Sequence, residues 1–262
     1  MKCLIVLLAS MATFVVVTYG GMGDVLSSWP TPRTYNVING IAFEGEYIWL
    51  KHYRCEGGAV YKCTKSGSVI KEIGFPYHAF DRSYGLAFDG EYLWTIYHQR
   101  VGADLYDHYV KYTTNGSEVR AFATHRHPPY SYSTAVCWDG QYLWTDEMLV
   151  SQSKPDAAKY TTAGSLLATF VMAKFIATGS GYYNNQLWYG GPQPWDTIYG
   201  GVIGGAVVGS FPAPGGSCYA VGFDGEYLWT ADRNTPQYIY KVDIDVVDVK
   251  PDSFGKIKGI YR

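Results

Sequence analysis

A short pattern recurs five times along this chain and restricts the folds open to it. An apolar run meets Asp-Gly or Glu-Gly and continues into an aromatic run that ends in Trp. The copies lie at Gly40–Trp49, Gly85–Trp94, Ala135–Trp144 and Ala220–Trp229, with a weaker one at Tyr182–Trp188. Each copy predicts a β-hairpin with a two-residue type I′ turn, because Gly accepts positive φ freely and Asp tolerates it. In the weaker copy Asn184-Asn185 lies one residue closer to the Trp, so we expect an irregular hairpin there.

The spacing of the pattern predicts a ring of blades. Its five tryptophans are separated by 45, 50, 44 and 41 residues, and periods in the forties with several short strands are typical of β-propellers. After most hairpins a Tyr-containing strand runs into a polar turn, as at Val110–Ser117, and a fourth apolar strand follows, as at Glu118–Phe122. We therefore predict an all-β, five-bladed β-propeller of four-stranded antiparallel blades over residues 21–245.

The fifth repeat has only three evident strands in sequence. The segment Asp24–Pro30 resembles the ends of fourth strands such as Ser210-Phe211-Pro212. We predict that this N-terminal strand completes the last blade, which removes an open sheet edge. Residues 246–262 fall outside the repeat and end basic; we interpret them as a strand or tail packed on the rim, with self-association through β-augmentation as the alternative.

The N-terminal residues are typical of a secretory signal peptide. Met1-Lys2 precedes the apolar run Cys3–Val17, which is shorter than the roughly 20 residues of a membrane span. We predict a signal peptide over 1–20, a secreted or cell-surface protein and no membrane span after cleavage, with an uncleaved anchor as the alternative. The formal net charge of −2 argues against a nucleic-acid partner.

Secretion permits disulfides. Cys55 and Cys63 flank a predicted hairpin loop, so we predict a local bridge between them. Cys137 aligns with small residues of the other copies, which indicates a buried structural position, and Cys218 is expected to carry a free thiol.

Blades of the form Leu-Ala-Phe-Asp-Gly-Glu-Tyr-Leu-Trp, followed by a Tyr-Lys strand and a Gly turn, resemble the secreted bacterial β-propellers of the NHL and YVTN type. The resemblance spans about residues 25–245 and implies a fold, while lyases, scaffolds and surface binding proteins all share it. The motif differs from the WD repeat and from the sialidase Asp-box, and glutamate-bearing blade motifs like those of the five-bladed plant-type glutaminyl cyclases are missing from the sequence.

Variable residues follow each repeat tryptophan and precede each hairpin, and in a propeller both groups open on the same end. Loops on a fixed scaffold are where function is commonly placed. We predict a ligand-binding surface there that includes His52, His98, Arg100, His125, His127, Tyr132, Glu147, Trp195, Asp232 and Arg233.

Catalytic chemistry is not evident at these positions. His125 and His127 with His52, His98 or Glu147 offer ligand types that zinc accepts, but no His-x₃-His or Cys-x₂-Cys pair supports a metal site. Asp146 and Glu147 are neighbours on a strand and point to opposite faces, which disfavours a glycosidase pair. We predict no cofactor, no metal and no assigned catalytic residue, and we interpret the turn acids as structural: Glu44, Asp89, Asp139 and Asp224.

Two functions remain open from the sequence. The first is a secreted, non-enzymatic binding or structural module that takes a glycan or protein on its aromatic loop face, because 25 tyrosines exceed what a core needs. The second is a propeller enzyme, such as a lyase, glycosidase or cyclotransferase, with its site on the axis.

Overall fold

The computed structural model describes residues 21–33, 37–52, 59–75, 83–102, 104–126, 131–149, 156–172, 178–191 and 196–244. Over these ranges the chain forms five antiparallel sheets, one for each copy of the repeat. The sheets are called blades 1 to 5 in the order of their hairpins. The only helix of the described residues is the short 3₁₀ turn Pro214–Gly216.

Strands are numbered β1 to β21 along the chain. The inner strands of blades 1 to 5 are β2 (Ile38–Glu44), β6 (Ser83–Phe88), β11 (Val136–Trp138), β15 (Thr178–Tyr183) and β19 (Ala220–Phe223). The second strands are β3 (Tyr47–His52), β7 (Tyr92–Val101), β12 (Leu143–Leu149), β16 (Gln186–Gly190) and β20 (Leu228–Ala231). The third strands are β4 (Ala59–Thr64), β8 (Asp104–Thr113), β13 (Asp156–Tyr160), β17 (Thr197–Val202) and β21 (Tyr238–Val242). The outer strands are β5 (Val69–Gly74), β9 (Glu118–Arg126), β14 (Leu166–Val171), β18 (Val207–Pro212) and, for blade 5, β1 (Val25–Pro30). The short β10 (Ser131–Tyr132) pairs with β12 in blade 3.

The five blades form a closed ring. Neighbouring inner strands contact each other in the order β2, β6, β11, β15, β19 and back to β2. The ring is closed by β1, which pairs antiparallel with β21 of blade 5 from Val25–Val242 to Pro30–Tyr238. The predicted five-bladed propeller and its closure by the N-terminal strand are confirmed.

Small residues on the inner strands allow the ring to be this tight. A Cβ atom on Gly40 would lie 2.6 Å from Cβ of Leu86 in the next blade, and one on Gly85 would lie 2.5 Å from the backbone nitrogen of Val136. Both distances are too short for any side chain, so these blades can approach each other only where the sequence has glycine.

The core lies between the blades rather than at the axis. Five buried clusters fill the five seams, and Trp49, Trp94, Trp188 and Trp229 are among the largest fully buried side chains. Successive residues of a strand point to opposite faces, so alternate side chains of each blade pack against the preceding and the following blade. This arrangement explains why the strands are apolar on both faces.

The hairpin turns differ from the prediction. Asp89 pairs with Tyr92, and Gly90 alone has positive φ, at 101°, so the turn has the type II′ pattern with Asp just before it. Blade 4 has the regular type I′ turn instead, with φ of 48° at Asn184 and 60° at Asn185. The predictions of type I′ turns at Asp-Gly and of an irregular hairpin in blade 4 were therefore both wrong.

Candidate functional site

The ring has two ends that can hold a site. The turn end is where the inner and second strands join, as Glu44 joins Tyr47 in blade 1; the loop end is the opposite one, where β3 ends at His52. The predicted ligand-binding surface belongs to the loop end.

At the loop end, His52 is buried at the end of β3. Its ring contacts that of Tyr61 edge to face, with centroids 5.1 Å apart. Tyr61 packs in the cluster between blades 5 and 1, so His52 lies in that seam rather than on an open surface.

His98 lies in a different seam, between blades 2 and 3. Its Nε2 donates to the carbonyl of Ser133 at 2.7 Å and lies 3.6 Å from Oδ1 of Asp107. The other carboxylate oxygen of Asp107 accepts from the backbone N–H of Ser133 at 3.0 Å. His98 and Asp107 therefore join blade 2 to the segment that enters blade 3.

Asp232 lies in a third seam, between blades 4 and 5, and it organises its own loop. Its carboxylate accepts from the N–H of Tyr238 at 2.9 Å, the Asn234 side chain at 2.9 Å and the Tyr240 hydroxyl at 3.0 Å. Burial, with the hydrogen bond to Asp232, raises the pKa of Tyr240 to about 12. The adjacent Arg233 is exposed, and its guanidinium lies 5.5 Å from the ring centroid of Tyr219.

For the remaining predicted residues, the structure describes either the backbone alone or no part of the residue. The strands contain the backbone of Arg100, His125, Tyr132 and Glu147, but their side chains are not described, and His127 and Trp195 lie outside the described residues. Cys63 is buried while Cys55 lies outside the described residues, so the bridge between them stays a prediction. Cys137 is buried, as expected, and Cys218 is buried as well, with its thiol 3.8 Å from the carbonyl oxygen of Ala220.

No group of three or more His, Cys, Asp or Glu side chains suited to a metal occurs within the described ranges. The described site residues His52, His98 and Asp232 belong to three separate seams and do not converge on one reacting centre. Within the same ranges, no helix is long and apolar enough to span a bilayer.

Besides Asp107, two buried charged residues at the loop end were not among the predicted site residues. Asp146 is 2% exposed and accepts from the backbone N–H groups of Thr134 and Ala135 at 2.8 and 2.6 Å. Lys51 is 0% exposed, and its Nζ has no hydrogen-bond partner within the described part of the chain. Both come two residues after a repeat tryptophan. The periodicity of the sequence alone could have indicated that this position is buried.

At the turn end, one carboxylate organises each of the four well-preserved hairpins. In blade 3, Asp139 accepts from the N–H groups of Gln141 and Tyr142 at 2.8 and 2.6 Å and from the Trp144 indole at 2.7 Å. The Lys159 ammonium lies 3.4 Å from Asp139 and 4.9 Å from the centroid of Trp144. Asp89, Asp224 and Glu44 each accept from the corresponding indole, so the turn acids are structural, as predicted.

Blade 4 lacks the carboxylate and the lysine together. Trp188 lies opposite Gly200 rather than opposite a lysine, and a Cβ on Gly200 would lie 2.6 Å from the indole ring. Among the described residues the Trp188 indole N–H has no acceptor. The weak repeat therefore keeps the tryptophan but has lost its polar partners.

The axis opens at the turn end into a cavity of about 280 Å³ that residues from all five inner strands line. Its aromatic members all lie six residues before the tryptophan of their blade and are all half-buried: Phe43, Phe88, Trp138, Tyr182 and Phe223. We call these five residues the aromatic collar. The signal for the collar is present in the sequence as one aromatic residue at a fixed offset in each repeat. The predicted site residues, however, all belong to the loop end.

Small residues lie immediately behind the collar and leave the cavity open. They are Ala42, Ala87, Cys137, Gly181 and Gly222. Burial raises the pKa of the Cys137 thiol to about 12, so this thiol lining the cavity is a poor nucleophile. The cavity is therefore suited to binding rather than to thiol chemistry.

The pairing of the strands and this axial cavity define the class of the protein: it is a five-bladed β-propeller with an aromatic-collared opening on its axis. No protein-family model matches the chain, and no curated protein matches it. The resemblance to the NHL and YVTN type therefore stays a prediction.

Solved structures that are similar to this chain have very low sequence identity to it. Hydrazine synthase of Kuenenia stuttgartiensis is 12% identical with a TM-score of 0.42, covering 78% of this chain and 71% of that one. A chain of the mitotic checkpoint complex is 11% identical with a TM-score of 0.47, covering 94% and 99%. An ACO/RPE65 chimera is 8% identical with a TM-score of 0.43, covering 75% and 54%. The assignment of the fold rests on the strand pairing itself, and function has to be argued from the site.

Proposed function

We propose that this protein is a non-enzymatic binding module whose ligand, a small neutral sugar unit, occupies the axial cavity at the turn end. The observation that carries the proposal is the aromatic collar, in which five blades each supply one half-buried aromatic side chain to the same cavity. Aromatic rings offer flat apolar surface to the C–H face of a sugar, and Tyr and Trp add a polar group.

Backbone groups complete the chemistry that a sugar needs. Each inner strand is paired on one side only, so its second edge faces the axis. An unpaired strand edge presents a row of N–H donors and C=O acceptors. Hydroxyl groups can both donate and accept, and they match such a mixed row better than a purely anionic or cationic ligand would.

The charges beside the cavity favour a neutral ligand. Asp224 lines the cavity, but its carboxylate already accepts from the Trp229 indole and pairs with Lys65 at 3.1 Å. Burial opposes its ionisation, yet the hydrogen bonds from Tyr227, Glu226, Lys65 and Trp229 lower the pKa of Asp224. The nearest acid is therefore ionised and already paired, and it leaves no net charge for a ligand to neutralise.

The volume limits the ligand to a single unit. Pockets for drug-sized ligands usually measure about 300 to 1,000 Å³, and the cavity of about 280 Å³ lies just below that range. One sugar ring, free or at the end of a glycan, is the size that we propose.

The test is ligand-observed NMR saturation transfer on the full chain with neutral hexoses, pentoses and N-acetylhexosamines. We expect at least one to bind, and we expect Trp138→Leu and Phe223→Leu each to weaken binding by about twofold to tenfold, since a stacked ring contributes roughly 0.5–1.5 kcal/mol. The matched control is Tyr47→Leu, an exposed aromatic residue of the same end that does not line the cavity. Absence of transfer to every sugar, or an equal loss in the control, would refute the proposal.

The loop end stays a second candidate surface for a glycan or a protein. Blade 2 supports it, because β7 and β8 are ten residues long and aromatic rings stack toward this end. Tyr97 of β7 lies 4.6 Å from His108 of β8, and Tyr84 of β6 lies 4.9 Å from His98 of β7. Loss of glycan-array binding in Trp195→Ala and Tyr132→Ala, with the collar intact, would assign the ligand to this end instead. Secretion with cleavage after the first 20 residues belongs to the same proposal and is supported by the sequence alone. Residues 246–262 are proposed to pack on the rim, with self-association as the alternative.

A further inference from the structure

Lys51 lies in the seam between blades 1 and 2, near its loop end. It is the last residue but one of β3 and pairs with Gly40 on β2 and Val60 on β4. Trp49, two residues earlier on the same face of the strand, packs with Val60 and with Leu86 of blade 2. The Lys51 side chain therefore faces blade 2.

The amine of Lys51 is buried without compensation. The side chain is 0% exposed, and Nζ has neither a hydrogen-bond nor an ion-pair partner among the residues that the structure describes. Lysines are almost never fully buried unless they are paired. Burial lowers the pKa of Lys51 well below its usual value of 10.5, so the group is held toward the neutral amine.

The facing strands of blade 2 offer rings rather than acids. Tyr97 packs against the same apolar cluster as Trp49 and stacks on His108 with nearly parallel planes, and Tyr106 lies next to His108 with centroids 6.4 Å apart. These three, with Tyr112 of the same cluster and Lys62 of blade 1, whose ammonium pairs with Glu44 at 2.8 Å, are described titratable groups on this side of the seam. None is a carboxylate free to hold a charged lysine.

We propose that Lys51 is a carbonyl-binding residue that captures a small aldehyde or ketone as a reversible imine at the loop end of the seam between blades 1 and 2. A neutral, desolvated lysine is the form that performs this chemistry. A charged, water-exposed lysine would first have to lose a proton. The role is separate from the axial cavity, which Lys51 does not line.

The step balances without a cofactor. The lone pair of Nζ attacks the carbonyl carbon, and the oxygen takes up a proton as the nitrogen loses one, which gives a carbinolamine. Loss of that hydroxyl as water, with the second amine proton, forms the C=N bond; water reverses the reaction. In this proposal Tyr97 and His108, which lie on the facing strands of blade 2, exchange protons with the departing oxygen.

The test is reductive trapping of the full chain. Protein is treated with propionaldehyde, and separately with pyruvate, in the presence of cyanoborohydride, and each modified lysine is located by peptide mass spectrometry. At pH 7 we expect Lys51 to be modified at least tenfold faster than Lys65, whose ammonium pairs with Asp224. A normal lysine becomes on the order of 100 times more neutral between pH 7 and 9, so the ratio of Lys51 to Lys65 should fall steeply over that range.

Two controls keep the outcome decisive. Lys51→Met removes the amine but keeps an apolar chain of similar length; this variant should fold, and its trapping should be confined to the other lysines. The wild type in urea exposes every lysine and should lose the selectivity for Lys51. If native Lys51 is not modified while it reacts in urea, or if the ratio to Lys65 does not change with pH, the amine is only a buried structural group and the proposal is wrong.

Discussion

Lys51 and Asp146 occupy the same place in their blades, two residues after the repeat tryptophan, and burial has opposite consequences for them. Asp146 accepts from the backbone N–H groups of Thr134 and Ala135 and from the Thr134 hydroxyl. Lys51 has no such partner among the described residues. An unmatched buried polar group costs about 1–3 kcal/mol, so Asp146 holds the entry of blade 3 in place while Lys51 destabilises the seam in which it lies.

The first prediction follows from that cost. Lys51→Met should raise the free energy of unfolding at pH 7 by about 1–3 kcal/mol, because it removes the unmatched donor and keeps the apolar stem. The folded pKa is lowered, so between it and about 10.4 the unfolded chain binds one proton more than the folded protein, and this group makes wild-type stability rise with pH. Urea unfolding should therefore show a larger gain at pH 7 than at pH 10.

Lys65→Met is the control for this prediction. Its ammonium is paired with Asp224, so removing it should give no gain, and at most a small loss, at either pH. A destabilised Lys51→Met, or a gain that does not depend on pH, would contradict the assignment of a neutral buried amine.

At the scale of the element, each of the four well-preserved hairpins is held by a carboxylate, an indole and a lysine. The pairs Trp49–Lys62, Trp94–Lys111, Trp144–Lys159 and Trp229–Lys241 lie directly opposite each other on the second and third strands. The lysine also lies over the ring of the tyrosine that follows the turn, at 3.6 Å for Lys111 and Tyr92. The repeated sequence motif therefore encodes one structural unit, which is held together by hydrogen bonds and cation–π contacts.

The second prediction tests that unit in blade 3. Asp139→Ala should lower the free energy of unfolding by about 2–3 kcal/mol, because it removes the acceptor of the partly buried Trp144 indole and of two backbone N–H groups. Thermal or urea unfolding measures the change. Gln141→Ala, at an exposed turn position of the same hairpin, is the control and should change stability by less than about 0.5 kcal/mol.

Lowering the pH should show how much the Asp139 carboxylate contributes to the stability of the wild type. Burial opposes ionisation of Asp139, but hydrogen bonds from Trp144, Tyr142 and Gln141 and the Lys159 charge outweigh it, and the pKa lies below its ordinary value. The contribution is then present above about pH 3.9 and is lost as pH falls through the lower folded pKa. Asp139→Ala should consequently lose less stability than the wild type between pH 4 and 2; an equal loss in both proteins would count against this role.

At the scale of the whole molecule, stability depends on closing the ring. The N-terminal strand β1 supplies the outer strand of blade 5, and Trp29 on it packs in the seam between blades 5 and 1 and donates to the Lys65 carbonyl at 3.2 Å. Without β1, the edge of β21 would be open to other chains. One strand thus joins the first and the last parts of the described chain.

The third prediction is that Trp29→Ala destabilises the protein by about 3–5 kcal/mol, as expected for removing a buried aromatic side chain, and promotes self-association. Unfolding curves measure the first effect, and light scattering coupled to size-exclusion chromatography measures the second. Ser28→Ala, at an exposed position of the same strand, should do neither. A Trp29→Ala protein that stays monomeric with unchanged stability would mean that β1 is not needed to close the ring.

The sequence by itself determined the elements, their number and their order. Turn chemistry and strand patterning are local, so five hairpins, their outer strands and the role of Asp24–Pro30 could all be predicted from residue types and spacing. The turn geometry could not, because Asp89 is held outside the turn by the Trp94 indole, a contact that forms only when the hairpin pairs.

Only the tertiary structure decided which side chains meet. His52, His98 and Asp232 looked alike as polar residues after a tryptophan, but alternation along the strands and the packing of neighbouring blades put them in three seams. Lys51 is buried because blade 2 covers the face on which it lies. The five residues of the aromatic collar line a single cavity because the ring closes. These contacts join residues that are far apart in sequence. The free energy that favours them comes from packing between blades, so a local sequence pattern does not predict them.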